Sequence, residues 1–167
     1  MIYYISGGER SGKSAYGEEL ARSLSESPVY LATSRVWDDN FKDRIDKHKL
    51  SRDNTWINRE EEKQLSNAIS QGEVVLIDCV TLWLTNYFTD LDSDIDKCLE
   101  EAKLEIDKVE QLDATIIFIS NEIGMGGHAS TPIGRKFTEL QGLVNQYIAK
   151  KATKATVVIS GLPLSLK

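Results

Sequence analysis

One octapeptide constrains this chain more than any other feature. Gly7-Gly8-Glu9-Arg10-Ser11-Gly12-Lys13-Ser14 fits the pattern G-x-x-x-x-G-K-S and follows directly on the apolar run IYYIS at 2–6. A glycine lacks the Cβ that would bar tight turns and close backbone approach, so Gly7 and Gly12 let the chain fold around a ligand. Successive backbone N–H groups then point inward at phosphate oxygens, backed by the start of a helix. Lys13 brings a mobile positive charge to the β- and γ-phosphates, and the Ser14 hydroxyl is suited to a magnesium ion. The bland alternative is a glycine turn with a chance lysine. It is weakened by context, because the pattern stands after a strand-like run and before a helix-like one, where a phosphate loop must stand.

The rest of the chain supplies the fold such a loop requires. Apolar runs rich in β-branched and aromatic residues recur at 2–6, 29–33, 74–78, 115–120 and 156–160. They are apolar throughout rather than alternating, as strands covered on both faces should be. Helical periods fall between them, at about 13–25, 38–49, 60–70, 94–111 and 133–152. The clearest is 94–111, where Ile95, Leu99, Ala102, Ile106 and Val109 form one stripe and the acids fall elsewhere, on a solvated face. Strand–helix alternation of this kind predicts an α/β three-layer sandwich with a mainly parallel sheet and right-handed crossovers, and the phosphate-loop motif at its first turn makes the P-loop NTPase (RecA-like) class the expected one. The final GLPLSLK leaves no room for a crossover helix and predicts an antiparallel edge strand, where Pro163 is tolerated. With 167 residues and no linker or repeat, one domain spanning 1–167 is expected.

Composition removes several function classes. A formal net charge of -6 argues against a nucleic-acid partner, which needs a basic face. No apolar run reaches bilayer length, and MIYYISGG lacks the features of a signal peptide, so a cytoplasmic protein without membrane insertion is expected. Cys79 and Cys98 have no zinc or redox spacing and read as reduced, buried thiols.

Two further residues bear on chemistry. A P-loop site wants a second carboxylate at a neighbouring strand end to hold the magnesium shell, and Asp78 closes VVLID in that position. Its competing reading is a helix cap, with Thr81 nearby. His48, one of two histidines, has Arg44 four residues before it and Arg52 four after, with Lys49 alongside. Cations on one helical face would draw a polyphosphate and favour the neutral, nucleophilic imidazole. Spacing alone leaves open an exposed histidine on a charged helix. Asn121 and Glu122 read equally as site-lining groups or as a turn cap, and His128 as a loop residue.

The order of short motifs decides between these readings. GGERSGKS, then YLATSRVWDDNFKDRIDKHK, TWINRE, LIDCVTLWLTN, SNEIGMG and GRKFTELQGLVNQYIAKKA together resemble the bifunctional adenosylcobinamide kinase/adenosylcobinamide-phosphate guanylyltransferase family of cobalamin biosynthesis over nearly the whole length. The resemblance implies that GTP or ATP, with Mg2+, phosphorylates adenosylcobinamide. GMP then passes from GTP through a guanylylated histidine, matched by His48, to adenosylcobinamide phosphate. It also implies guanine-nucleotide contacts at Gly7, Gly8, Glu9, Arg10, Ser11, Gly12, Lys13 and Ser14, at Ala32, Thr33 and Ser34, at Lys49, Leu50, Ser51 and Arg52, and at Glu60 and Asp78, and a homotrimeric assembly. The chain departs from the family pattern at Lys49, where arginine is usual, at Asp53, where proline is common, and in GHASTP after Gly126, where Pro132 is displaced. Another P-loop small-molecule kinase without guanylyl transfer and a non-catalytic nucleotide-dependent binding module remain the alternatives.

Overall fold

The computed structural model describes residues 1–35 and 54–167. Its strands are β1 (Ile2–Gly7), β2 (Val29–Ala32), β3 (Ile57–Glu60), β4 (Val74–Asp78), β5 (Thr115–Asn121), β6 (Lys154–Ile159) and β7 (Leu162–Ser165). The described helices are α1 (Lys13–Leu24), α2 (Val80–Asp90), α3 (Ile95–Gln111) and α4 (Pro132–Lys151), with a 3-10 turn at Leu65–Ala68. The strands form one seven-stranded sheet in the order β3-β2-β4-β5-β1-β6-β7. Every pairing is parallel except the last, β6 with β7, which is antiparallel. The mainly parallel sheet with an antiparallel edge strand, Pro163 included, is therefore as the sequence predicts.

The unbroken apolar strands are explained by helices on both faces. Val75, Ile77, Ile116 and Phe118 turn toward α2, α3 and α4, where Trp83, Ala102, Ile106, Val144 and Ile148 complete one core. Their neighbours Leu76, Ile117 and Ile119 turn the other way, onto Ala21 of α1. Residues two apart share a face, so each strand must be apolar at consecutive positions to serve both layers. On α3 the buried stripe is Cys98, Ala102, Ile106 and Val109, with Ile95 and Leu99 packed at its margin. Asp94 caps the helix by accepting from the Lys97 N–H.

Two expectations are corrected. The helix predicted at 60–70 is absent: the chain makes edge strand β3 and then the short 3-10 turn. Tertiary partners override the local charge pattern here. β3 pairs with β2 from Val29↔Ile57 to Ala32↔Glu60, and the N–H groups that follow are satisfied by carboxylates. Glu61 accepts from the Lys63 and Gln64 N–H groups, and the buried Glu105 accepts from that of Ser66. Conversely, α2 has no sequence signal of its own, because its VTLWL follows VVLIDC with no glycine or proline between strand and helix. The helix predicted at 38–49 lies outside the described residues.

Candidate active site

Parallel strands present all their C-terminal ends at one edge of the sheet, and ligands of open α/β sheets bind along that edge. Strand register shows which residues arrive there together. Ala32 stands opposite both Glu60 and Asp78, so three of the sequence candidates form one row across β3, β2 and β4. Gly7, at the end of β1, stands opposite Asn121 at the end of β5.

The phosphate loop connects β1 to α1. Arg10 and Gly12 adopt left-handed φ values of 57° and 96°, which turn the backbone inward. Gly12 precedes the first helical residue, Lys13, and no side chain caps the helix there. The first-turn N–H groups, which have no partner within a helix, are thus available to an anion. Gly7 serves for closeness rather than for φ. A Cβ placed on it would meet Ser11 Oγ at 2.5 Å and the Val158 carbonyl at 2.6 Å. The buried Ser11 Oγ has no hydrogen-bond partner. Lys13 is 9% exposed and folds back so that Nζ donates to the Gly8 carbonyl at 3.0 Å. Such a cradle, with an orphaned hydroxyl, a poised ammonium and an uncapped helix start, fits a polyphosphate.

Asp78 is half-buried, and its Oδ2 accepts a hydrogen bond from the Tyr30 hydroxyl at 2.9 Å. Tyr30 is itself buried, edge-to-face against Trp56 with ring centroids 6.1 Å apart, and Arg22 lies over the Trp56 ring. This contact orients the carboxylate while its other oxygen remains for a ligand. Sequence reasoning missed Tyr30. It shares a strand face with Ala32, and register sets it beside Leu76, two residues before Asp78. Among the described residues no group of three or more His, Cys, Asp or Glu side chains is placed to share a metal. One carboxylate and one hydroxyl suffice for a magnesium ion that takes its remaining ligands from phosphates and water.

The strand ends are tied together by hydrogen bonds. The buried Thr33 hydroxyl donates to the Cys79 carbonyl at 2.8 Å and accepts from the Cys79 N–H at 3.0 Å. Asn86, fully buried on α2, donates to the carbonyls of Thr33 and Glu62 at 2.8 and 2.9 Å. Burial, then the Asp78 charge, pushes the Cys79 thiol up to about 12, so it remains a neutral packing group. Cys98 is likewise buried and reduced. Asn121 binds inward, donating to Thr81 Oγ1 at 3.0 Å, and Glu122 accepts from the Gly124 N–H. Both side chains thus have structural partners. His128 is exposed in the loop that follows.

Ser34 and Glu60 line a cavity of about 460 Å3 together with Glu61, Glu62, Lys63 and Gln64. That volume is within the range of small-ligand sites. The structure therefore sets Ala32, Glu60 and Asp78 in one row and places the phosphate loop at the same edge of the sheet, two strands along from Asp78. His48, Lys49, Leu50, Ser51 and Arg52 lie outside the described residues.

Fold and site define a P-loop nucleotide-binding α/β protein. A prototypical ATPase from the type III secretion system of pathogenic bacteria shares the fold, with a TM-score of 0.58 at 11% identity over 98% of this chain and 56% of that one. The family model for cobinamide kinase / cobinamide phosphate guanyltransferase matches residues 3–166, and the chain belongs to that family. It is 32% identical over 182 residues to the bifunctional adenosylcobalamin biosynthesis protein CobU of Escherichia coli (strain K12), covering all of both chains. It is 33% identical over 167 residues to the bifunctional adenosylcobalamin biosynthesis protein CobP of Pseudomonas aeruginosa, covering 98% of this chain and 95% of that one.

Proposed function

We infer that this chain is a bifunctional transferase that phosphorylates adenosylcobinamide and then converts the product to adenosylcobinamide-GDP. The observation that carries this reading is a family match spanning 3–166 on a chain whose P-loop, Asp78, Ala32–Ser34 and Glu60 share one sheet edge. In the first reaction the aminopropanol hydroxyl of the corrinoid attacks the γ-phosphorus of ATP or GTP. The bond from that phosphorus to the bridging oxygen breaks, the nucleoside diphosphate leaves and the hydroxyl proton is released. The loop N–H groups and Lys13 stabilise the charge that develops on the transferring oxygens. Ser14 and Asp78 hold the Mg2+, which neutralises phosphate charge when bound.

In the second reaction a ring nitrogen of His48 attacks the α-phosphorus of GTP and expels pyrophosphate. A phosphate oxygen of adenosylcobinamide phosphate then displaces the imidazole from the GMP group. A phosphoramidate is labile enough to split one difficult displacement into two easier ones. Lys49, Leu50, Ser51 and Arg52 accompany this histidine as nucleotide contacts, with Ala32, Thr33, Ser34 and Glu60 on the sheet edge. The protein acts in the cytoplasm as a homotrimer. Among the described residues no helix is long and apolar enough to cross a membrane.

Intact-protein mass measurement after incubation with GTP and Mg2+ tests the reading. Wild type should gain one GMP and the His48→Ala variant none, while both retain ATP-dependent phosphorylation of cobinamide. Wild type that never gains the mass, yet phosphorylates cobinamide, is a kinase alone.

A further inference from the structure

Strand β5 runs between β4, which ends in Asp78, and β1, which leads into the phosphate loop. It also extends past β4. Asp78 stands opposite Ile119 and Gly7 stands opposite Asn121, so Glu122 emerges beyond the sheet edge between the acid and the loop. The backbone there is held on both flanks. On one, the Glu122 N–H donates to the Gly7 carbonyl at 3.0 Å. On the other, Asn121 donates through its backbone N–H and its Nδ2 to Thr81 Oγ1, at 3.3 and 3.0 Å, and Thr81 lies three residues past Asp78. Asn145 Nδ2 on α4 adds a third tie by donating to the Asn121 carbonyl at 3.3 Å. The phosphate-loop strand, the start of α2 and α4 together fix the point from which Glu122 projects.

Only half of this carboxylate is engaged. Oε1 accepts from the Gly124 N–H at 3.0 Å, which sets the orientation of the group. Among the described residues no hydrogen bond or ion pair engages Oε2. The two residues before it are committed elsewhere: Ser120 Oγ donates to Asn145 Oδ1 at 2.6 Å, and the Asn121 side chain is bound to Thr81. Space around the strand end is open, since a Cβ on Gly8, Gly126 or Gly127 would meet nothing within 4 Å. Met125 in the following loop and Ile133 in the first turn of α4 are exposed, offering apolar contact to a large acceptor.

We propose that Glu122 is the general base of the phosphoryl-transfer half-reaction, orienting the acceptor hydroxyl toward the γ-phosphorus and taking its proton. The proposal deepens the kinase reading given above and rests on it. Phosphoryl transfer needs a group that directs the attacking oxygen, besides those that neutralise the phosphates. Lys13 and the loop N–H groups are donors only, and Ser14 and Asp78 are assigned to the metal, so none of them can take that proton. Glu122 Oε2 has the acceptor capacity and stands between the two. As the hydroxyl oxygen bonds to the γ-phosphorus and the bond to the bridging oxygen breaks, Oε2 accepts the proton, the nucleoside diphosphate leaves, and the carboxyl then returns the proton to water.

The test compares Glu122→Gln, Glu122→Asp and His128→Ala with wild type. One assay follows ATP-driven phosphorylation of cobinamide over a range of cobinamide and Mg2+ concentrations, and mass measurement follows the GMP adduct formed with GTP. Glutamine keeps an oxygen for the Gly124 N–H and removes only the basic group, and thermal unfolding confirms that each variant is folded. Expected for Glu122→Gln is a phosphorylation kcat lower by about a hundredfold or more, with KM for ATP and adduct formation close to wild type. Glu122→Asp, a carboxylate on a shorter stem, should be intermediate. His128→Ala controls for the other titratable side chain of the loop and should stay near wild type. A wild-type kcat in folded Glu122→Gln overturns the proposal. So does a loss confined to KM for cobinamide, a rate regained at raised Mg2+, which would make Glu122 a metal group, or parallel loss of both activities. If wild type itself does not phosphorylate cobinamide, the kinase reading falls and takes this proposal with it.

Discussion

Adjacent glycines at the start of the phosphate loop should respond in opposite ways to the same substitution. Gly7 and Gly8 both lack the left-handed φ that would penalise any side chain, so space alone decides. A Cβ at Gly7 would lie 2.5 Å from Ser11 Oγ and 2.6 Å from the Val158 carbonyl oxygen, whereas a Cβ at Gly8 has nothing within 4 Å. The serine hydroxyl can rotate away. The carbonyl cannot, because Val158 is fully buried in β6, which pairs with β1 on one side and β7 on the other. Accommodating Gly7→Ala therefore means parting β1 from β6. Overpacking of this kind costs about 1–3 kcal/mol, and a backbone obstacle places this case near 3. For a chain of this size that is a fall in Tm of roughly 6–12 °C. Gly8→Ala should remain within about 0.5 kcal/mol of wild type, as exposed substitutions usually do. Urea and thermal unfolding of the two variants without nucleotide measure the difference directly. Coincident unfolding curves for Gly7→Ala and Gly8→Ala would refute the steric argument and the close approach of β6 to the loop.

Three other outcomes follow from the same geometry. Asp78→Asn keeps an acceptor for the Tyr30 hydroxyl and should fold normally, but lose roughly a hundredfold or more in kcat through several kcal/mol of charge stabilisation; a kinase assay titrated with Mg2+ reports it, and wild-type magnesium dependence would exclude the metal role. Burial pushes the Tyr4 phenol up to about 12, against partial relief from the Ser6 and Ser120 side-chain hydrogen bonds. A raised folded pKa means that this contribution is complete below the ordinary value of about 10 and fades as pH rises from there toward 12, so unfolding free energy should fall over that window in wild type and less steeply in Tyr4→Phe. Cys79 and Cys98 are both buried, with thiols pushed upward by desolvation, so a disulfide reagent at neutral pH should leave them unreacted in the native protein and titrate both in denaturant; rapid native labelling would contradict the packing around α2 and α3.

The parts of the fold legible in the sequence are those whose requirements are local. β1, β4 and β5 could be read from apolar runs because helices cover both faces, and each strand must satisfy two layers at consecutive positions. β7 could be read because a strand followed by Gly161 and Pro163 has few other courses. β3 could not: INRE is mostly exposed, with Ile57 42% accessible, and it is a strand because the edge of β2 was open to it. α2 was hidden by the opposite fault. The stretch from Val74 to Leu84 is apolar apart from Asp78 and Thr81, and it contains the turn at Asp78–Cys79 without a glycine or proline to mark the break.

The same division runs through the candidate site. Gly7, Gly12, Lys13 and Asp78 stand out because each must have a particular covalent character for a phosphate or a metal: no Cβ, a mobile ammonium, an acid at a strand end. Ala32, Thr33 and Ser34 have no such mark and enter only by resemblance. Their placement comes from β2 pairing with β4, which sets Ala32 opposite Asp78. Thr33 shows what that pairing adds. Its hydroxyl closes two hydrogen bonds on Cys79, a residue 46 positions later, and so fixes the backbone that carries Asp78. A valine of nearly the same volume would leave the Cys79 N–H and carbonyl buried without partners, at a cost of about 1–3 kcal/mol for each. Nothing near Thr33 in sequence reveals this, since the donor and acceptor it satisfies belong to another strand end. Chemistry carried by one side chain can be read along the chain; chemistry carried by the meeting of two strand ends becomes visible only when the sheet is assembled.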